Sequence, residues 1–191
     1  MLAVTAMVKV AEAKVYDEVG HCDQDTKTQI EICYGTDGKL LNGMAAEGDQ
    51  SFNSGRKRRE IRKQVKKGTY SLGSQTYILS RFRNGRKDGL SREVNEFGYD
   101  KTTINYRKGV KDGAYSEFYS EDLKKVEAFY KDGLLHGKAI FYNDRGKKIG
   151  VARYKNGVLV AGYCHKEDEP KQYFSHDFIK SQPKNELVSC Q

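Results

Sequence analysis

Apolar and polar positions alternate along this chain in short segments that glycine-containing turns separate. Residues 114–119 (AYSEFY), 124–130 (KKVEAFY) and 138–142 (KAIFY) are five to seven residues long and rich in β-forming side chains. Segments of this length and composition are typical of β-strands. In the second strand of each pair, residues such as Ile104 and Tyr106 alternate with polar ones, which places them on one face of a sheet. We expect that face to be buried.

A motif of an aromatic residue, two further residues and a glycine recurs every 24 residues in the middle of the chain. Its aromatic positions are Phe82, Tyr106, Tyr130 and Tyr154, and its glycines are Gly85, Gly109, Gly133 and Gly157. A second glycine follows four residues later at Gly89, Gly113 and Gly137, whereas the fourth copy has Ala161 there. So many matched columns at one spacing indicate an internal repeat.

Each repeat is predicted to be a β-hairpin. Asn and Asp before Gly tolerate the left-handed conformations that hairpin turns need, so such dipeptides predict tight turns. They occur at Asn84-Gly85, Asp112-Gly113, Asp132-Gly133 and Asn156-Gly157. The aromatic residue of each unit is predicted to belong to a core ladder, in preference to a ligand groove.

The predicted fold is therefore all-β, an elongated antiparallel sheet of stacked hairpins of about 24 residues each. Residues 82–162 hold the regular repeats, and looser glycine and aromatic spacings extend the pattern to residues 34–81. Residues 14–33 are predicted to form an N-terminal cap segment, and residues 163–191 a C-terminal tail or cap.

These repeated Tyr-x-x-Gly-x-x-x-Gly units resemble MORN repeats, in particular the bacterial variant form of which many members are classed as antitoxin-like. The match is most specific over residues 82–162 and covers most of the chain when the looser units are included. The resemblance implies a scaffold that binds proteins or lipids. It does not by itself deliver a function.

The composition favours strands and an acidic partner. The chain has 13 Tyr, 8 Phe and 19 Gly among 191 residues, and its formal net charge is +8. Such a charge suits an acidic protein, an anionic membrane surface or a nucleic acid. Among these we expect another protein, with anionic lipid as the alternative, and we do not expect nucleic acid. No apolar run is long enough to span a membrane as a helix.

The largest charge feature is the segment 55–68, which carries eight basic residues and one acidic residue. One interpretation is a patch that binds an acidic partner, and the other is a solvated, lysine-rich hairpin. The candidate partner-binding side chains in this segment are Arg56, Lys57, Arg58, Arg59, Arg62 and Lys63.

Cysteine usage and the N-terminus favour an exported protein. Residues 1–8 are apolar and Ala11-Glu12-Ala13 has the form of a signal-peptidase site, so residues 1–13 are a candidate signal-peptide remnant, the alternative being an apolar N-terminal strand. An even number of cysteines, Cys22, Cys33, Cys164 and Cys190, is compatible with two disulfides in any of three connectivities. In a reducing compartment the same residues would be buried thiols.

Catalytic and metal-binding patterns are weak. Cysteine and histidine residues near both ends lack CxxC and HxxxH spacing, and the chain has no nucleophile elbow, P-loop or HExxH motif. Glu93 and Glu117 share a repeat column, so we interpret them as exposed positions of a repeated strand. The sequence thus predicts a non-enzymatic binding protein without metal or cofactor. Its first functional hypothesis is an antitoxin or immunity protein that neutralises a partner protein, and the alternative is a scaffold on anionic lipids.

Overall fold

Over the residues that the structure describes, the protein forms one large, mostly antiparallel β-sheet with almost no helix. The computed structural model describes residues 17–47, 76–95, 99–165 and 169–190. The first strands are β1 Asp17–Gln24, β2 Glu31–Gly35, β3 Gly43–Glu47, β4 Thr76–Arg83, β5 Arg86–Asn95, β6 Asp100–Arg107 and β7 Val110–Ser120. The remaining elements are β8 Leu123–Lys131, β9 Leu134–Leu135, β10 Gly137–Tyr142, β11 Lys148–Lys155, β12 Val158–Cys164, β13 Gln172–Tyr173 and the helix α1 His176–Ser181. The predicted all-β sheet of hairpins is confirmed.

Chain order sets strand order over most of the sheet. From β3 to β13 each strand pairs with its successor, except that the short β9 pairs with β8 beside β10. Such nearest-neighbour pairing is what stacked hairpins produce. The N-terminal end departs from it, because β1 pairs with β3 in parallel and with β2 in antiparallel orientation.

The four repeat glycines lie in the turns that close β4–β5, β6–β7, β8–β9 and β11–β12. Each turn has two central residues with positive φ, for example Asn84 at 50° and Gly85 at 73°. This is the backbone of a type I′ turn, whose twist matches that of the strands it joins. In the second unit the turn pair is Lys108 and Gly109, with φ of 53° and 89°.

The prediction that Asp112-Gly113 is a hairpin turn is wrong. Both residues lie inside β7, where the register against β6 shifts between Ile104 and Tyr106. Gly113 has a φ of 125°, so it supplies the positive φ of a β-bulge. Gly89 has the same role in β5, with a φ of 115°. The second glycine of the repeat thus belongs to a bulge in these two units, because an extra residue must be accommodated there.

Successive turns are joined by one repeated hydrogen bond. The N–H of Gly109 donates to the Lys87 carbonyl at 2.7 Å, and the N–H of Gly133 donates to the Lys111 carbonyl at 2.8 Å. Gly157 bonds to Leu135 in the same way, at 2.8 Å. Each turn glycine is therefore bonded to the unit before it, and the four turns form a continuous row along one edge of the molecule.

A segment near each end of the chain covers two of the four turns. On the first two turns, a Cβ at Gly85 would approach Ile32 Cγ2 to 2.9 Å, and one at Gly109 would clash with Ile30. On the last two, Asn185 donates its N–H to Gly157 O at 2.7 Å and its side-chain Nδ2 to Gly133 O at 3.1 Å. The row of turns is thus packed at both ends.

Each covering segment is held by a disulfide. Cys22 and Cys33 are a directly opposed pair on β1 and β2, and they are bonded to each other. Cys164 at the end of β12 is bonded to Cys190 in the tail. Of the three connectivities compatible with the sequence, the structure has the one that closes each end of the chain on itself.

Candidate binding surfaces

One face of the sheet, called here the inner face, carries the aromatic column. Phe82, Tyr130 and Tyr154 are buried, at 3%, 6% and 4% exposure, and Tyr106 is partly buried. The residue two places after each turn glycine pairs across the hairpin with the aromatic residue, as Phe82 does with Lys87. The ammonium groups of Lys87 and Lys111 lie 5.8 and 5.2 Å from the ring centres of Tyr106 and Tyr130 in the next unit. The aromatic column therefore belongs to the buried core, and the lysine–ring contacts join successive units.

Burial raises the pKa of Tyr106, Tyr130 and Tyr154 above the ordinary tyrosine value. For Tyr106 the nearby Lys87 ammonium partly opposes that rise in pKa. Tyr154 uses its hydroxyl as an acceptor, because the N–H of Val188 donates to it at 2.9 Å. These rings therefore stay neutral, with no phenolate for chemistry near neutral pH.

Glu93 and Glu117 are not simply exposed strand positions, as the sequence suggested. Both lie on the inner face and are partly buried, at 36% and 29% side-chain exposure. Glu93 accepts a hydrogen bond from Thr102 Oγ1 at 3.1 Å, and Glu117 accepts one from the Tyr115 hydroxyl at 2.5 Å. Burial and then this hydrogen bond raise the pKa of Tyr115. The two carboxylates serve separate contacts, because Glu93 bonds across to β6 and Glu117 bonds within β7.

The inner face of the last units is crossed by residues 185–190, named here the C-terminal strap. Val188 and Cys190 belong to the same buried cluster as Phe141, Ala152 and Tyr154. Gly150 lies under the strap, where a Cβ would clash with the Cys190 sulfur. Between the strap and the strands a cleft of about 210 Å³ remains, and Glu117, Lys125, Val126, Phe141 and Tyr142 line it together with the strap.

The opposite, outer face carries a charged ladder in the first two units. Arg83 Nε lies 3.2 Å from Asp88, and Arg107 Nη2 lies 2.5 Å from Asp112 and 3.4 Å from Asp132. Arg83 and Arg107 occupy one column of the repeat, and Asp88 and Asp112 occupy another. Each arginine is thus paired within its own hairpin.

The last two units keep the cations and replace the aspartates. Lys131 and Lys155 stand in the arginine column, whereas His136 and Val160 stand in the aspartate column. Neither lysine has an ion-pair partner among the described residues. Large apolar side chains are exposed around them, namely Phe129 at 45%, Leu134 at 39%, Val158 at 40% and Val160 at 48%.

Comparison with protein-family models, curated proteins and solved structures found no match to this chain. The resemblance to MORN repeats stays a prediction from the residues.

The basic side chains predicted to bind a partner, Arg56, Lys57, Arg58, Arg59, Arg62 and Lys63, lie outside the described residues. Within the described ranges no group of three or more His, Cys, Asp or Glu side chains is arranged to hold a metal ion. No described helix has the length and apolar character needed to cross a bilayer. The surface that sequence reasoning missed is the apolar one around Lys131 and Lys155. Its signal was present in the repeat columns, as the loss of aspartate in the last two units.

Proposed function

We propose that this chain is a MORN-like repeat protein of the bacterial antitoxin or immunity type, which binds and neutralises a partner protein. The exposed apolar surface on the outer face of the last two units is the observation that carries the proposal. Monomeric proteins rarely leave large apolar side chains in one contiguous exposed group unless the group binds something. A regular sheet holds such side chains at fixed spacing, so little conformational entropy is lost on binding.

The two disulfides support an exported location as part of this proposal. Disulfides persist in oxidising compartments such as the periplasm and the extracellular space, and they are rare in the cytosol. An immunity protein in such a compartment would meet its toxin outside the cytoplasm. We propose no enzymatic step, because the titratable side chains of the inner face serve packing and cross-strand contacts.

Affinity capture from the native host tests the proposal. The tagged full chain would be recovered at low and at raised salt, and bound material identified by mass spectrometry. A single stoichiometric protein that stays bound at high salt supports the proposal, since apolar contacts resist screening better than exposed charge pairs. Recovery of only lipid or nucleic acid, lost as salt rises, contradicts it, and recovery of lipid favours a scaffold on anionic lipids.

A second experiment separates neutralisation from mere binding. The captured partner would be expressed alone and together with this chain in the same compartment. Growth inhibition by the partner alone, relieved by co-expression, is expected of a toxin with its immunity protein. A partner that is harmless alone contradicts the immunity assignment even where the complex is real.

A further inference from the structure

The residues at equivalent positions of the four repeat units can be compared on the outer face. The cation column is filled throughout, by Arg83, Arg107, Lys131 and Lys155. The column three residues after the turn glycine holds Asp88, Asp112, His136 and Val160. The carboxylate that pairs with the cation is therefore present in two units and missing in the two that follow.

The missing carboxylates coincide with the exposed apolar side chains. Leu134 and Val158 follow the turn glycines directly, where the first unit has Arg86 and the second has the partly buried Val110. Phe129 lies on the adjacent row of β8, opposite Ala114 of β7. We define the lysine–apolar patch as Phe129, Lys131, Leu134, Lys155, Val158 and Val160, and all six side chains are exposed.

A polar atom beside the patch also lacks a partner. His136 occupies the aspartate position of the third unit, and its Nδ1 is buried without a hydrogen-bond partner among the described residues. A buried polar atom without a partner costs free energy, so it is normally satisfied by a group that approaches it.

We propose that the lysine–apolar patch is the docking surface for an acidic protein, whose carboxylates take the places that Asp88 and Asp112 hold beside Arg83 and Arg107. This inference rests on the proposed function and adds where the partner binds and what chemistry it presents. The partner's surface carries Asp or Glu side chains between apolar ones. The net charge of +8 favours the approach of such a surface and disfavours a second copy of this chain.

The most direct test restores the aspartate column in the last two units. In His136→Asp with Val160→Asp, each lysine gains the aspartate that the first two units already have, so the sheet is expected to keep its fold and melting temperature. The lysines would then be neutralised within the chain, and partner binding should fall about tenfold or more. A fall in binding without a fall in melting temperature identifies a binding surface.

Photo-crosslinking from single sites locates the contact in the full chain. A photoreactive phenylalanine analogue at Leu134 would be compared with one at Leu90, which is equally exposed on the outer face of the first unit at 43%. We expect one acidic protein to crosslink from position 134 and not from position 90, and the product to disappear in the aspartate-restored background.

Charge reversal gives the matched control. Lys131→Glu with Lys155→Glu should abolish crosslinking, whereas Lys27→Glu with Lys108→Glu changes the net charge equally and should leave it intact. Both control lysines are exposed, and both lie outside the lysine–apolar patch.

Three outcomes would overturn the inference. They are equal crosslinking from positions 90 and 134, an unchanged product in the restored variant, and binding to phosphatidylglycerol vesicles that the restored variant loses. If a salt-resistant protein partner is still captured, only the docking site is wrong. If no protein is captured, the proposed function fails as well.

Discussion

At the scale of single residues, the turn glycines are required for two separate reasons. Their φ is positive, which costs any residue with a Cβ about 1–2 kcal/mol in the left-handed region. At Gly109 the covering residue Ile30 also occupies the space that a Cβ would need. Gly38 has a similar φ of 74° but nothing within 4 Å of its Cβ position. Substitutions at these two glycines therefore distinguish the cost of backbone strain from the cost of a steric clash.

We expect Gly109→Ala to lower the free energy of unfolding by about 2–4 kcal/mol, since strain and overpacking add. Gly38→Ala, the control, should cost about 1–2 kcal/mol, because only backbone strain applies. Urea denaturation with both disulfides intact measures the two values. Equal losses in the two variants would show that Ile30 does not press on the second turn.

Tyrosines of the sheet should make the protein sensitive to alkali. Burial and a hydrogen bond to Glu127 raise the pKa of Tyr142 to about 12, and burial raises the pKa of Tyr106, Tyr115, Tyr130 and Tyr154. The folded state thus holds these protons more tightly than the unfolded state. Their contribution to stability is complete below a pH of about 10 and is lost as the pH rises through the folded-state pKa values.

Ultraviolet titration of phenolate should therefore show a late group of tyrosines. Tyr106, Tyr115, Tyr130, Tyr142 and Tyr154 should ionise only above the ordinary tyrosine pKa of about 10, together with loss of the β-sheet circular dichroism signal. In denaturant all should titrate together. A single folded-state transition near a pH of about 10, with the sheet signal intact, would contradict the assigned burial.

At the scale of elements, the glycine spacing was sufficient to predict the hairpins, because Asn-Gly and Asp-Gly have few alternatives to a positive φ. The same rule predicted one turn at the wrong place. Asp112-Gly113 has the composition of a turn but lies at a bulge, and local sequence does not distinguish these two uses of a positive φ. The inner-face position of Glu117 was also missed, because only the register of the folded sheet decides it.

Contacts between distant segments were beyond sequence reasoning. Nothing in the local pattern of Asn185 or Val188 indicates that they bond to Gly133 and Tyr154, since these contacts depend on the path of the tail over the finished sheet. The parallel pairing of β1 with β3 is of the same kind. Periodic features were thus predictable, and the features that break the period were not.

Removal of the strap disulfide should loosen the last two units selectively. In Cys164→Ser with Cys190→Ser, we expect a loss of about 3 kcal/mol of stability, because the bond closes a loop with a sequence separation of 26 residues. Hydrogen exchange should quicken at the amides of Leu135 and Val188, which bond to Asn185 and Tyr154.

The control for the strap is the disulfide at the other end. Cys22→Ser with Cys33→Ser should quicken exchange near β2 and leave the amide of Val188 protected. Exchange that quickens over the whole sheet in both variants would mean that the two ends do not open independently.

At the scale of the whole molecule, no element in the part of the chain that the structure describes contacts all the others. Each strand from β4 to β12 touches mainly its neighbours, so stability is approximately a sum over units and the interfaces between them. The ends differ from the middle, because a disulfide-held segment covers the turns at each end. The terminal segments thus limit the length, and nearest-neighbour pairing among the described strands does not fix the number of units.

Deletion of one complete unit should consequently be tolerated. Removal of residues 109–132 joins Lys108 to Gly133 and leaves every later column in register. We expect a folded sheet whose urea m-value is smaller by roughly one-eighth, in proportion to the chain removed. Removal of residues 109–120, half a unit, would bring strands of the wrong sense together and should prevent folding. Equal behaviour of the two deletions would contradict nearest-neighbour assembly.

The two end-closing disulfides also set how far this protein can be stretched. Under tension applied at its termini, the loops between Cys22 and Cys33 and between Cys164 and Cys190 bear no load, with sequence separations of 11 and 26 residues. The contour length released on full extension is then shorter by about 120–130 Å than that of the reduced chain. Because both disulfides stay closed under load, the two loops remain attached while the strands peel apart, and they are in place when tension falls and the sheet reforms.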